Sequence, residues 1–213
     1  MTNHEAGGWH REVITASTEA TLHNLTDAKL LDGFYLAGGT GLALHLGHRL
    51  SHDLDCFSPE LFDEEILLQR ARSLAGFSLV ARAPHSLHTT IEGTKVSFLG
   101  YDYPLLFPCT RFGDIDVADV RDITCMKVSA IASRGTKRDF VDMYLCAREN
   151  GLGNLLGLFE RKYSQIRHNR LHVLKSLMYF EDAEKDPMPH MLIPLEWHEI
   201  KQFFLREVPR LMA

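Results

Sequence analysis

No run of apolar residues in the sequence approaches the roughly 20 needed to span a bilayer, so no membrane partner is expected. The N-terminal stretch MTNHEAGGWHREV is polar and lacks the apolar segment of a signal peptide. Cysteine is sparse and scattered, at Cys56, Cys109, Cys125 and Cys146, with no C-x-x-C pair. That spacing suits neither a zinc site nor a disulfide framework, and it fits a reducing compartment. These absences together lead us to expect a soluble, cytoplasmic protein. Positive charge is also short: 23 lysines and arginines face 28 acids, for a net charge of −5. A surface that grips a nucleic-acid backbone along its whole length is thereby excluded, and any RNA must meet a local patch. Neither G-x-x-x-x-G-K-[ST] nor G-x-G-x-x-G occurs, which removes a P-loop and a dinucleotide fingerprint.

What remains is the composition of an ordinary globular chain, 45% hydrophobic and 24% charged, long enough to bury a real core. TASTEATLHNLTDAKLL, from Thr15 to Leu31, reads as a moderately amphipathic helix. FYLAG reads as a buried strand that feeds a short buried helix in GGTGLALHLGHRL, and DLDCF reads as the next strand. Ser58-Pro59 carries the mark of a helix start, with serine as N-cap and proline in the first turn. FSLVARA, LHTTIE and KVSFLGY are strand-like, the last two flanking Gly93-Thr94 as a hairpin, and a short strand follows near Ile115. From Asp119 onward the texture is helical throughout, including single helices over LHVLKSLMYFEDAEK and EWHEIKQFFLREV, with PMPHMLIP as the loop before the last. The expected architecture is α/β, a small mixed sheet over residues 1–118 followed by a helical region over 119–213.

Two constellations in the first part point to one kind of chemistry. In a strand, alternate side chains share a face, so Asp53 and Asp55 project together. Adjacent carboxylates repel unless a cation sits between them, and hard oxygen ligands at this spacing suit Mg²⁺, or Mn²⁺ in its place. Gly38-Gly39-Thr40 stands at a strand-to-helix junction, where glycine lets backbone approach phosphate oxygens and the helix start offers free N–H groups. A solvated acidic strand and a tight turn are the plain alternatives. A third constellation, MKVSAIASRGTKRDFVDMY, places Lys127 and Arg134 on one helix face and Asp139 after a glycine. Here Thr136 and Asp139 also form a variant of the capping box, Lys137 reads as a solvated turn residue, and Arg138 could pair with Asp142.

The stretch GGTGLALHLGHRLSHDLDCFS resembles the signature of the DNA polymerase β-like nucleotidyltransferases. Its G-G-T, H-R-x-S and D-L-D elements are similar to those of the abortive-infection (AbiEii-type) nucleotidyltransferase toxins. The pattern K-x-x-A-x-x-x-R-G-x-x-R-D and the helical tail extend the resemblance over most of the chain. The resemblance implies a nucleotidyl core in which Asp53 and Asp55 hold the metal and Lys127 and Asp139 are needed for activity. It implies that Gly38, Gly39, Thr40, Arg49, Ser51, Arg134 and Arg138 contact a nucleoside triphosphate. It further implies a tRNA or protein acceptor and a cognate antitoxin.

One feature departs from the wider superfamily, in which a third carboxylate often stands on a neighbouring strand. The strand KVSFL presents Lys95, Ser97 and Leu99 on one face, none of them acidic. Either the site works with fewer carboxylates, or Glu92 or Asp102 supplies the third through another register. Two rivals follow: a relative that binds a nucleotide or partner without transfer, and an RNA-binding module built on the basic run RKYSQIRHNR. His48 is a candidate for the phosphate site, His168 and His172 read as a helical surface pair, and Cys56 and the Phe140–Tyr144–Ala147 stripe read as core.

Overall fold

Alternation within the short strands decides the layering. The computed structural model describes residues 8–212, so the first seven residues of the polar N-terminal stretch lie outside the described residues. A 3-10 turn at Arg11–Val13 and α1 (Ala16–Asp27, capped by Thr15) precede β1 (Tyr35–Leu36), α2 (Gly38–Leu46) and β2 (Leu54–Ser58). Then come α3 (Glu64–Ala71), β3 (Ser78–Ala83), β4 (Ser86–Ile91), β5 (Thr94–Gly100), β6 (Thr110–Phe112) and β7 (Ile115–Val117). The rest is helical: α4 (Val120–Ser133), α5 (Lys137–Asn150), α6 (Leu152–Lys162), α7 (Arg170–Ser176), α8 (Glu181–Lys185) and α9 (Trp197–Arg210). No helix among the described residues is long and apolar enough to cross a membrane.

The seven strands form one mixed sheet in the order β3-β4-β5-β2-β1-β7-β6. β2 runs parallel to β5 and antiparallel to β1, while β1 is parallel to β7. Leu36, Leu54, Cys56, Val96, Phe98 and Val117 face one side and bury against α1 and α3 with Leu22, Leu25 and Leu68. Tyr35 and Phe57 face the other side and join the core of the helical part, where Phe140, Met143, Phe159 and Phe204 are buried. Cys56 thus points away from the aspartates, and all four cysteines are free thiols.

Four local expectations need correction. Ser58 does not open a helix: it ends β2, paired with Gly100, and Asp63 caps α3 by accepting from the N–H groups of Glu65 and Ile66. Five residues of parallel ladder outweigh the local Ser-Pro signal, which survives only as a turn in which Ser58 Oγ accepts from Glu60 N. The helix expected over LHVLKSLMYFEDAEK breaks into α7 and α8, because Phe180 between them packs on Phe140 and Trp197. β6 has no clear sequence signal and forms by pairing with β7 around Gly113, at φ +59. His168 precedes α7, whose N-cap is Asn169, so it makes no helical pair with His172 and instead lies against Phe159.

The basic run at 161–170 is only partly a surface feature. Lys162 is fully buried, its ammonium 2.7 Å from Asp122 and 2.8 Å from the Pro104 carbonyl. A charge sealed in this way is unavailable to phosphate, which takes one of the run's four cations away, while Arg161, Arg167 and Arg170 stay exposed.

Candidate active site

The link between β1 and α2 shows why glycine stands there twice. Gly38 adopts φ +60, which L side chains rarely take, and a Cβ placed on it would fall 2.5 Å from Asp55 Oδ2. A Cβ on Gly39 would fall 2.6 Å from an Arg49 guanidinium nitrogen. A carboxylate and a guanidinium therefore lie directly against the backbone at the start of α2. The chain is held in this path by Ala37 N, which donates to the Asp55 carbonyl at 3.1 Å. No side chain caps α2, so its first-turn N–H groups face outward at the positive end of the helix.

Thr40 serves the structure of this turn. It is buried, and its Oγ1 bonds Ser51 Oγ at 2.8 Å and donates to the Asp53 carbonyl. Thr40 and Ser51 thus latch α2 to the segment entering β2, and they place Asp53 and Asp55 beside Gly38. Both hydroxyls are engaged within the turn itself.

Asp53 and Asp55 lie on the same side of β2, with Leu54 and Cys56 buried opposite. Asp53 remains 42% exposed, and the Arg138 guanidinium reaches it at 3.9 Å. Arg138 therefore turns to Asp53 and not to Asp142, the pairing allowed by helical spacing. Burial pushes the Asp55 carboxyl above the usual carboxylate range; Lys127 opposes that shift, and Asp53 adds to it by like charge. Directly across from Asp55 in the β2–β5 register stands Ser97, whose nearby hydroxyl favours the charged form of the carboxyl. The position where a third acid was sought is thus a serine facing Asp55. Glu92 sits in the β4–β5 turn against Asn24, and Asp102 lies beyond the end of β5, so neither enters this row.

Beneath this layer lies a sealed ionic network. Asp142 is fully buried and accepts from Arg49 at 2.7 and 2.9 Å, from His48 Nε2 at 2.8 Å and from the Lys127 ammonium at 2.7 Å. Burial alone would raise its pKa, but Lys127 and Arg49 outweigh that and hold the carboxyl well below the usual range. Lys127, 8% exposed, is shared with Asp139 at 3.0 Å. Burial disfavours its charge, yet the two carboxylates raise its pKa above the ordinary lysine value. Asp139 closes the capping box with Thr136 that its position allowed, and it also accepts from Lys127.

The loop before α9 braces this layer from outside. Leu50 N donates to the His190 carbonyl and Leu192 N to the His48 carbonyl, both at 2.9 Å, so residues 190–192 run as a strap along His48-Arg49-Leu50. Asp186, at the start of that loop, receives Lys137 through its main-chain N–H and, at its carbonyl, through the ammonium at 2.6 Å. Lys137 is therefore buried and anchored, in place of the solvated residue expected.

The structure brings Gly38, Gly39, Thr40, Arg49, Ser51, Asp53, Asp55, Lys127, Arg138 and Asp139 into one region. It separates Arg134, which caps α4, is exposed and lines a different recess with His172, Lys175 and Tyr179. Arg134 is the C-cap of α4 and leaves the helical conformation at φ −144, ψ −12, so the face it would share with Lys127 does not extend to it. His48 and Arg49 lie under the glycine turn and do not line its open side. The sequence reading named Asp142 only as a partner for Arg138 and did not single out His88. An acid between Val141 and Met143, on the packed side of α5, is the signal that could have exposed Asp142 as a buried ion-pair partner.

A family model described as "Nucleotidyl transferase AbiEii toxin, Type IV TA system" matches residues 21–107 and 101–211. An uncharacterized protein of Aquifex aeolicus (strain VF5) is 36% identical over 193 residues, covering 88% of this chain and 92% of that protein. Among solved structures, the nucleotidyltransferase toxin MenT4 of Mycobacterium tuberculosis H37Rv superposes with a TM-score of 0.55 at 15% identity, covering 93% of this chain and 86% of that one. The antibiotic-resistance factor ANT(2'')-Ia gives 0.53 at 13% identity, covering 71% and 94%. At such identities these likenesses speak for the fold, while the family match spans nearly the whole sequence. The chain belongs to the AbiEii family of nucleotidyl transferase toxins, and it is on that ground a nucleotidyltransferase.

Proposed function

We propose that the protein transfers a nucleotide from a nucleoside triphosphate, with Mg²⁺ or Mn²⁺ held by Asp53 and Asp55, to a hydroxyl on tRNA or on a protein. The observation that carries this reading is the contact between the Gly38 backbone and the Asp55 carboxylate at the uncapped start of α2. It puts N–H donors for phosphate beside oxygen ligands for a cation. The donor set fits the group: two carboxylates suit a magnesium ion that keeps other positions for water and substrate phosphates. When bound, such a cation neutralises charge on the phosphates.

This chain's own residues do the rest. N–H groups of Gly38, Gly39 and Thr40 cradle the triphosphate, and Arg138, the exposed cation of the group, meets it from α5. Lys127 and Arg49 supply fixed positive charge from below, where low dielectric strengthens their field. The acceptor hydroxyl oxygen bonds to the α-phosphorus and gives up its proton to solvent, the bond from that phosphorus to the bridging oxygen breaks, and pyrophosphate leaves. The catalytic cleft forms between the α/β part, residues 1–118, and the helical part, residues 119–213. The family origin supports a cytoplasmic toxin restrained by a cognate antitoxin.

The test is incubation of the full chain with each labelled nucleoside triphosphate, Mg²⁺, and total cellular RNA or protein. Label in a macromolecule with stoichiometric pyrophosphate is the expected result. A second reading, nucleotide or partner binding without transfer, takes support from Ser97 in the place of a third acid. Nucleotide binding without pyrophosphate release in any arm would favour it.

A further inference from the structure

A row of three polar side chains crosses the sheet at the level of Asp55. The register sets Asp55 on β2 against Ser97 on β5, and Ser97 against His88 on β4. All three share a face, because their chain neighbours Leu54, Cys56, Val96, Phe98, Leu87 and Thr89 are buried on the other. His88 Nδ1 lies 3.1 Å from Ser97 Oγ, and its Nε2 lies 3.2 Å from Ser86 Oγ, two residues back along β4.

The proton inventory gives this row a direction. Ser97 stands beside Asp55 in the register, a carboxylate only accepts and a serine hydroxyl has one hydrogen, so that hydrogen is offered to Asp55 when Ser97 accepts from His88. A neutral imidazole has one N–H, which then sits on Nδ1, leaving Nε2 to accept from the Ser86 hydroxyl. Every donor points toward Asp55. The reverse direction would leave a serine lone pair facing the carboxylate, which is repulsive. Two serines and a histidine at these places form a relay of fixed polarity that ends on one acid.

We propose that His88, acting through Ser97, is a positioning residue for Asp55: the relay holds the carboxylate in the orientation in which Oδ2 abuts Gly38. The proposal rests on the reading of Asp53 and Asp55 as the metal-holding pair. It also gives a role to the place where relatives in the wider superfamily carry a third acid. Here a neutral donor supports the acid beside it and adds no charge. A group that orients a metal ligand is part of the metal site even though it never touches the ion.

The experiment uses the full chain with His88→Leu, His88→Asn, Ser97→Ala and, as reference, Asp55→Asn. Mn²⁺ binding is titrated by electron paramagnetic resonance with a nucleoside triphosphate present, alongside transfer kinetics and thermal melts. His88→Leu and Ser97→Ala should each weaken Mn²⁺ binding about 10- to 100-fold, the range for loss of an orienting partner. In kinetics, kcat should fall while the acceptor KM stays. His88→Asn places an amide N–H near the lost Nδ1–H and should restore binding most of the way. If His88→Leu fails to fold, Ser97→Ala carries the comparison. Wild-type Mn²⁺ affinity in His88→Leu or Ser97→Ala, with affinity lost in Asp55→Asn, overturns the relay and leaves the metal pair standing. Equal impairment of His88→Asn and His88→Leu, with matched melts, overturns it as well. Wild-type affinity in Asp55→Asn would sink the metal pair and the relay together.

Discussion

Two layers of charge meet where α2 begins, and they use the same side-chain types for opposite ends. The upper layer, Asp53, Asp55 and Arg138, is partly open to solvent, loosely paired at 3.9 Å, and holds a carboxyl whose charge burial disfavours. The lower layer, His48, Arg49, Lys127 and Asp142, is sealed, with each charge matched at 2.7 to 2.9 Å. Loose pairing leaves the upper layer free to meet an incoming ligand. Close pairing fixes the lower layer as a rigid source of positive field. An acid in the first should matter for transfer and an acid in the second for folding.

The largest expected effect breaks the lower layer. Asp142→Asn leaves Arg49 and Lys127 buried without their shared partner and should cost roughly 3–5 kcal/mol of stability. Because the Asp142 carboxyl is held well below its ordinary value, its contribution is complete above the unfolded value of about 3.9 and is lost as pH falls through the folded one. Denaturant melts from pH 7 down to pH 2 should therefore show a steeper acid loss in the wild type than in the variant. Parallel curves would mean that Asp142 is not the centre of the network.

Asp55→Asn tests the upper layer. Transfer should fall by more than about 100-fold, the scale for losing one preorganised electrostatic group. The melting temperature should hold or rise, since the folded state disfavours this charge and the amide removes it. A variant that unfolds like Asp142→Asn would erase the distinction between the layers.

Gly38→Ala probes the seam. The positive φ alone should cost about 1–2 kcal/mol, and the methyl must displace Asp55 Oδ2. Displacing a reacting group by about 1 Å can cost up to about 100-fold in rate. Full transfer activity with a lowered melting temperature would show that the Gly38–Asp55 contact is only structural.

The smallest effect should come from Arg138→Ala, a surface change expected to stay within about 0.5 kcal/mol in stability. If Arg138 meets the triphosphate, the nucleotide KM should rise several-fold with melting unchanged. An unaltered KM would remove Arg138 from the upper layer.

Much of this site was legible in local sequence, and the reasons are local. Strand alternation put Asp53 and Asp55 together, the glycine pair marked a backbone that something must approach, and Thr136 with Asp139 announced a cap. The failures share one cause as well. Ser58-Pro59 looked like a helix start until β5 paired with β2, Lys137 looked solvated until Asp186 met it from 49 residues away, and Lys162 looked like part of a basic run until Asp122 met it from 40 residues away.

What the sequence determined by itself is most of the order of elements and the glycines and carboxylates that meet at the start of α2, because periodicity and turn chemistry act over a few residues. Tertiary structure alone decided which charges face solvent and which are sealed. Asp142 and Asp55 are both aspartates in amphipathic elements; the apolar neighbours Val141 and Met143 mark Asp142 as packed, but nothing within a few residues names Lys127, Arg49 and His48 as its partners. Nor does any local rule align His88, Ser97 and Asp55, since that row exists only once three strands take their register. Burial and register are properties of partners distant in the chain, and at this site they separate the acid that supports the fold from the acid left free to act.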